Sequence, residues 1–307
     1  MINRRMFSVV MLSTASLIWG TSFVAQIMGM EFIGPFTFCA ARYVVALFFL
    51  IPFALMMERR RTAESGGDPA VVSEWRGCLK CGILCGGALF IASSLQQVGL
   101  LFTTAGKAAF ITAMYIVIVP VYGLLFMKKI PSKLTIFAII FSTAGLYLLS
   151  IDEDLKIEAG DALILASALF WAAHIMICGR FAKDHDTVKL STIQFGTVAL
   201  FSAAAMFLME APEWGPLLAS WQPILYAGLF CTGICYTLQM AAQRDVGPVT
   251  TCIILSAEAL FAAVFGYLIL GERLSGREMA GCAILLAATL MAQIQEIRSG
   301  IDAEIEA

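Results

Sequence analysis

The chain reads as long apolar runs separated by short polar connectors. Ten of the runs are long enough to cross the roughly 30 Å hydrocarbon core of a bilayer as helices. They are Met6–Gly29, Pro35–Met57, Gly77–Gly99, Thr104–Met127, Leu134–Ser150, Gly160–Cys178, Leu190–Met209, Trp221–Ala242, Val249–Leu270 and Glu278–Ile294. Only Lys128–Lys133 joins the fourth run to the fifth and only Gly271–Arg277 the ninth to the tenth, as suits antiparallel neighbours. The longest connector, Glu58–Arg76, is expected to be a charged loop. The first run exceeds the apolar stretch of about 7–15 residues found in secretory signals, so it is expected to stay as the first membrane helix.

Composition agrees with this pattern. Apolar residues fill 60% of the 307 positions and charged residues 14%, whereas a soluble domain carries about 25% charged residues. A net charge of −2 gives no reason to expect nucleic acid as a partner. The expected partners are the lipid bilayer and a small-molecule substrate, with a homodimer left open. The nine cysteines fall inside apolar runs. Cys78, Cys81 and Cys85 share one run with no His near them in sequence and no second CxxC, so they are read as packing residues. No metal and no cofactor are expected.

Charge placement sets the orientation. Of the 20 Lys and Arg residues, fourteen fall on connectors of one side and three on the other; Arg42, Lys80 and Lys107 lie inside runs. By the positive-inside rule the N-terminus is cytoplasmic, and with ten crossings so is the C-terminus. The expected location is the plasma (cytoplasmic) membrane, crossed many times.

The sequence also repeats. Ala15–Trp19 matches Ser167–Trp171 at an offset of 152, which also pairs Arg42-Tyr43 with Gln194-Phe195. Leu95-Gln96 matches Leu238-Gln239 at an offset of 143, which pairs Tyr115 with Glu258 and Gly123 with Gly266. The halves, 6–151 and 158–297, hold five runs each, and an odd number inserts the second half upside down. The expected fold is an all-α membrane protein of ten transmembrane helices in two inverted five-helix repeats, enclosing a site near the midplane.

Trp19-Gly20, Gly34-Pro35, Ala41-Arg42-Tyr43, the stretches Gln96–Leu100 and Thr103–Thr112, and the ending Leu270–Leu274 resemble the EamA repeat of the drug/metabolite transporter superfamily. The resemblance covers essentially the whole chain, in two copies. It implies a ten-helix fold around a central cavity and, as in many members, export of amino acids or other metabolites. Two places depart from the pattern. Ala259 rather than proline follows Glu258, so no proline kink is expected there, and Lys128-Lys129 stand where the second half has Gly271–Arg273.

Glu258 is the foremost candidate for chemistry. It lies about ten residues into its run, near the bilayer centre at about 1.5 Å per residue. An ionised carboxylate there costs at least about 2.5–3.5 kcal/mol, so the group should face protein or a wet cavity and be neutral or paired. It is the coupling candidate; the plainer reading is a carboxyl bonded between helices. Tyr115, its repeat counterpart, offers a hydroxyl at similar depth. Arg42 and Lys107 lie nearer the outer ends of their runs, where each either snorkels to the interface or grips an anionic group of a solute. Trp19 and Trp171 sit mid-run, away from the interfaces where anchoring tryptophans belong, and serve as packing or as walls of a cavity. Gln96, Gln97 and Gln239 need hydrogen-bond partners from neighbouring helices or from a solute. His174, the only membrane histidine, has no second ligand near it and reads as a packed or proton-sharing side chain. Gly82 and Gly86 form a candidate close-packing face.

No ATP-binding motif, HExxH or GxSxG is present, and the membrane His and Glu have no evident catalytic partners, so no enzyme is expected. The leading reading is a secondary transporter exporting small metabolites, such as amino acids or related amphiphilic compounds, by alternating access. An importer or exchanger of organic anions is the alternative, favoured if Arg42 and Lys107 both face the cavity. A non-transporting receptor or scaffold would instead need asymmetric halves or a sizeable loop domain.

Overall fold

The computed structural model describes residues 4–64, 69–103, 105–128, 130–150, 159–265, 267–268 and 275–305. Lys129, Lys156 and Arg273 of the charge count lie outside the described residues, as do Thr104, Gly266 and the 270–274 ending. The chain is helical, with no strand among the described residues. Helix α1 spans Arg4–Gly29, α2 Pro35–Glu64 and α3 Pro69–Gly99. Helix α4 comes in two segments, Ala105–Thr112 and Tyr115–Met127, and α5 spans Lys133–Ser150. Helix α6 spans Ala159–Phe181 and α7 Thr187–Met209. A short helix, Trp214–Ala219, leads into α8, Trp221–Ala242, whose middle, Ala227–Ile234, winds as a π-helix. Helix α9 is again double, Pro248–Leu255 and Ala257–Phe265, and α10 spans Gly276–Ile305.

Among the described residues nine of these spans are long and apolar enough to cross a membrane, and α5 contributes a shorter apolar helix, Lys133–Leu148. Large side chains point outward along them: Phe48 is 78% exposed, Phe126 76% and Leu208 85%. In water such a surface would be untenable; it suits contact with lipid, and the chain is a multi-pass membrane protein.

The stretch Glu58–Arg76 is not the loop expected from its charge. Helix α2 continues through Glu64 and α3 begins at Pro69. Glu, Arg and Ala favour helix, and contacts hold the extension in place. The Trp75 indole N–H donates to both carboxylate oxygens of Glu58, at 2.9 and 3.0 Å, and Arg61 pairs with Asp186.

Helices α2 and α7, equivalent by the 152-residue offset, pack against each other with opposite directions. Glu210, just past the end of α7, accepts from the Phe36 and Thr37 N–H groups at 2.8 Å each and from the Thr37 hydroxyl at 2.6 Å, capping the start of α2. At the far end, Glu58 of α2 meets Lys189 in the first turn of α7 at 3.4 Å. The offset pairs Glu58 with Glu210 and Thr37 with Lys189, so one clasp occurs twice, at opposite ends of the pair.

Other neighbours obey the same exchange. Helix α3 packs on α6 as α8 packs on α1, α3 on α7 as α8 on α2, and α4 on α6 as α9 on α1, while α5 packs on α10. Small residues let the backbones approach. A Cβ added at Gly82 would stand 2.6 Å from Ile193 Cβ, and one at Gly86 2.6 Å from Thr197 Cβ, both on α7.

Candidate functional site

The two double helices are interrupted at equivalent places. In α4 the Ile116 N–H bonds the Ala113 carbonyl at 3.0 Å, a tight i→i+3 turn, and Pro120 supplies no N–H to the carbonyl four residues before it. In α9 the Ala259 N–H bonds the Ser256 carbonyl at 3.2 Å, and the Ser256 hydroxyl donates to the Ile253 carbonyl at 2.8 Å. The offset of 143 takes Ala113 to Ser256 and Ile116 to Ala259. The second interruption needs no proline; the serine hydroxyl takes up a carbonyl within the last turn. Irregular backbone at membrane depth is tolerated where it borders protein or a cavity, and here it borders a cavity.

That cavity lies between α1, α2, α3, α4, α6, α8 and α9, with a space of about 50 Å³ for the centres of water molecules. A single water needs only about 10–15 Å³ on that measure. Glu258, 6% exposed, lies in the first turn of the second segment of α9, and Tyr115, 4% exposed, opens the second segment of α4. The Tyr115 hydroxyl donates to Glu258 Oε1 at 3.1 Å. Among the described residues no cation pairs with Glu258.

Arg42 also lines the cavity, and it does not snorkel. Only 5% exposed, its guanidinium lies over the Tyr43 and Phe38 rings at 5.2 and 5.7 Å. One terminal nitrogen donates weakly to Cys39 Sγ at 3.7 Å, and among the described residues no carboxylate meets it.

The aromatic side of the cavity explains the mid-membrane tryptophans. The Trp19 indole donates to the Cys231 carbonyl at 2.8 Å, within the π-helical stretch of α8. Its ring lies 4.9 Å from that of Tyr236, and Trp171 stacks on the same tyrosine at 6.0 Å with 9° between the planes. Tyr236 thus joins the equivalent tryptophans of the two halves. Gln96 donates to Thr112 Oγ1 at 2.9 Å and Gln239 to Gln243 Oε1 at 3.2 Å, each from the cavity wall.

Seven of the ten candidates from the sequence therefore meet at one cavity: Trp19, Arg42, Gln96, Tyr115, Trp171, Gln239 and Glu258. Three do not line it. Gln97 is buried against Met30 and Cys39. Lys107 pairs with Asp161 at 2.6 Å, and Asp161 also accepts from the Thr103 hydroxyl at 2.7 Å, tying the start of α4 to the start of α6. His174 is bonded to Gln194 at 3.1 Å and contacts Cys178 at 3.2 Å. The cysteine run of α3 has a histidine after all: His185, distant in sequence, brings Nε2 to 3.5 Å from Cys81 Sγ. Among the described residues no three such ligands gather as a metal site.

Sequence reasoning passed over Ser22, Gln26, Thr112, Thr232 and Tyr236, which also line the cavity. Ser22 and Gln26 follow Trp19 at helical spacing on one face of α1, and that polar stripe in an apolar helix was the available signal. Tyr236 carried none.

Four buried atoms of this wall have no hydrogen-bond partner among the described residues: Gln26 Oε1, Arg42 Nε, Trp171 Nε1 and Thr232 Oγ1. Each would cost about 1–3 kcal/mol if left dry. Converging on one space, they suit a polar guest.

A profile of the EamA-like transporter family matches residues 6–151 and 158–293. An uncharacterized transporter of Archaeoglobus fulgidus is 27% identical over 293 residues, 95% of this chain and 87% of that protein. The threonine/homoserine exporter RhtA of Salmonella typhimurium is 29% identical over 156 residues, 48% of this chain and 51% of the exporter, about half of each. A solved crystal structure superposes at a TM-score of 0.75 with 16% identity, over 95% of this chain and 98% of that one, a likeness of fold alone. With two matched stretches that together fill nearly its whole length, the chain belongs to the EamA-like transporter family.

Proposed function

We propose that the protein is a secondary transporter of the plasma membrane with ten crossings and both termini in the cytoplasm. Its two inverted repeats export small amphiphilic metabolites, amino acids among them, by alternating access. The observation that carries this reading is the cavity at the two helix interruptions. It joins a guanidinium, a carboxyl group, two tryptophans and four unpartnered polar atoms around one space. Arg42 suits a carboxylate and Glu258 an ammonium or a proton, so a zwitterion matches both ends. The likeness to a threonine/homoserine exporter over half the chain points the same way. The Lys and Arg bias supports the orientation.

Exchange of organic anions is the second reading, and Arg42 favours it. It loses the help of Lys107, which is held by Asp161 away from the cavity. Counterflow in proteoliposomes separates the two. Vesicles loaded with unlabelled threonine should accumulate labelled threonine, and vesicles loaded with a dicarboxylate should not. Accumulation with the dicarboxylate alone would favour the anion exchanger.

A further inference from the structure

The cavity is not symmetric, although the helices around it are. Both members of the equivalent pairs Trp19 and Trp171, Gln96 and Gln239, and Tyr115 and Glu258 line it. Cys231, Thr232 and Tyr236 of α8 line it without their α3 counterparts, and of three pairs on α1, α2, α6 and α7 only the first-half member does. Ser22, Gln26 and Arg42 line the cavity, while the offset of 152 takes them to His174, Cys178 and Gln194, which do not.

Those three residues have collapsed onto one another. His174 Nε2 bonds Gln194 Oε1 at 3.1 Å and Cys178 Sγ lies 3.2 Å from the same nitrogen. The cluster is sealed: His174 is 1% exposed, Gln194 0% and Cys178 1%. Yet His174 Nδ1 and Gln194 Nε2 have no partner among the described residues. Three polar or thiol side chains packed together with two unmet atoms make a poor core, since each such atom costs about 1–3 kcal/mol. Edge-on rings of Trp171 and Tyr236, at 6.1 and 5.9 Å from the imidazole, separate the cluster from the cavity.

We infer that His174, Cys178 and Gln194 are the closed counterpart of the open half-site and form the wall that meets the solute from the other membrane face. This rests on the transport reading above. In an inverted repeat each half can adopt the conformation its mate shows, and exchanging the two conformations moves the opening from one face to the other. The clasps at opposite ends of α2 and α7 place the 30–35 and 182–187 loops on opposite faces. Gln26 lies in the last turn of α1, beside the first loop, and Cys178 in the last turn of α6, beside the second, so the two half-sites lie toward opposite faces. The chemistry is shared. The Arg42 guanidinium and the Gln194 amide both present N–H donors, so the solute carries an acceptor-rich group, a carboxylate in the simplest case. The grips differ in strength, because only Arg42 is charged.

The test uses full-length protein in proteoliposomes with Cys178 as its only cysteine, alone and together with Gln26→Cys. An impermeant maleimide applied on the face of the 182–187 loop should label Cys178. Prior modification of position 26 from the other face should slow that labelling by about tenfold or more, since it holds the exchange in one state. A Cys178 that never reacts, or that reacts equally after position 26 is blocked, would overturn the inference. Threonine counterflow by the same protein separates the two levels. Flux with an inert Cys178 sinks the inference and leaves the transport reading standing; a reactive Cys178 without flux sinks the transport reading, and the inference falls with it. If the single-cysteine protein does not reach the membrane, Gln194→Leu in the otherwise native chain replaces it. That change should raise the KM about tenfold for solute offered at the 182–187 face and spare the other face. An equal change on both faces, or none, overturns the inference.

Discussion

The Tyr115 hydroxyl donates to Glu258 Oε1 at 3.1 Å, and the two residues are equivalents, one from each repeat, 143 positions apart. Each lies in the first turn of the second segment of an interrupted helix, so the repeat brings its own two copies into contact at the cavity. Tyr115→Phe keeps the ring and removes the donor, leaving a buried carboxyl short of a partner. Maximal flux should fall about fivefold, from the loss of about 1 kcal/mol, at unchanged expression. Unchanged flux would make the contact incidental.

Glu258→Gln keeps size and hydrogen bonding and removes titration. If protonation of this carboxyl is linked to transport, the variant reaches the membrane and its flux no longer depends on pH. Flux of the variant that matches that of the native protein at every pH would leave Glu258 a purely structural role, with Glu258→Ala then the destabilising change.

The two tryptophans should separate under substitution by Phe. Trp19 donates to the Cys231 carbonyl, so Trp19→Phe should cost about 1 kcal/mol, read as a lower Tm in detergent. The Trp171 nitrogen has no partner, so Trp171→Phe should leave Tm in place and change the KM for solute. Equal loss of Tm in both would contradict the assignment.

Gly86 and Gly87 are adjacent and opposite in consequence. A side chain at Gly86 drives into Thr197 and the Gln194 carbonyl, while nothing lies within 4 Å of a Cβ at Gly87. Gly86→Val should destabilise by about 1–3 kcal/mol or more. Gly87→Ala should be neutral or slightly stabilising, since alanine is the better helix former by about 1 kcal/mol. Thermal unfolding in detergent reads both.

Orientation is testable at two exposed positions. In a cysteine-free background Glu213→Cys should react with an impermeant maleimide outside sealed cells, and Lys183→Cys only in inverted vesicles. Labelling of position 183 from outside would reverse the topology.

The apolar runs made nearly every helix legible, because crossing hydrocarbon imposes both length and composition. The extension of α2 through Glu58–Glu64 was hidden, since its charged residues find partners in Trp75, Lys189 and Asp186 that are distant in sequence. The interruption at Ser256 was hidden too. Proline marks a break in α4, but in α9 a serine hydroxyl replaces it. Costly residues at membrane depth pointed to the cavity: Glu258, Arg42 and the mid-span tryptophans all line it. Lys107 stands off the cavity because its partner, Asp161, lies in the other repeat, and Gln97 because a buried polar group can be met within the core, while His174 sits behind the rings of Trp171 and Tyr236. Thr112, Thr232 and Tyr236 are ordinary in membrane helices, and only their convergence in space sets them apart.

Passage of solute through the cavity is read most directly at Cys231, which lines it. In protein with Cys231 as its only cysteine, a bulky methanethiosulfonate should abolish threonine counterflow, and excess solute should slow the modification. Full counterflow after complete modification of Cys231 would contradict the account.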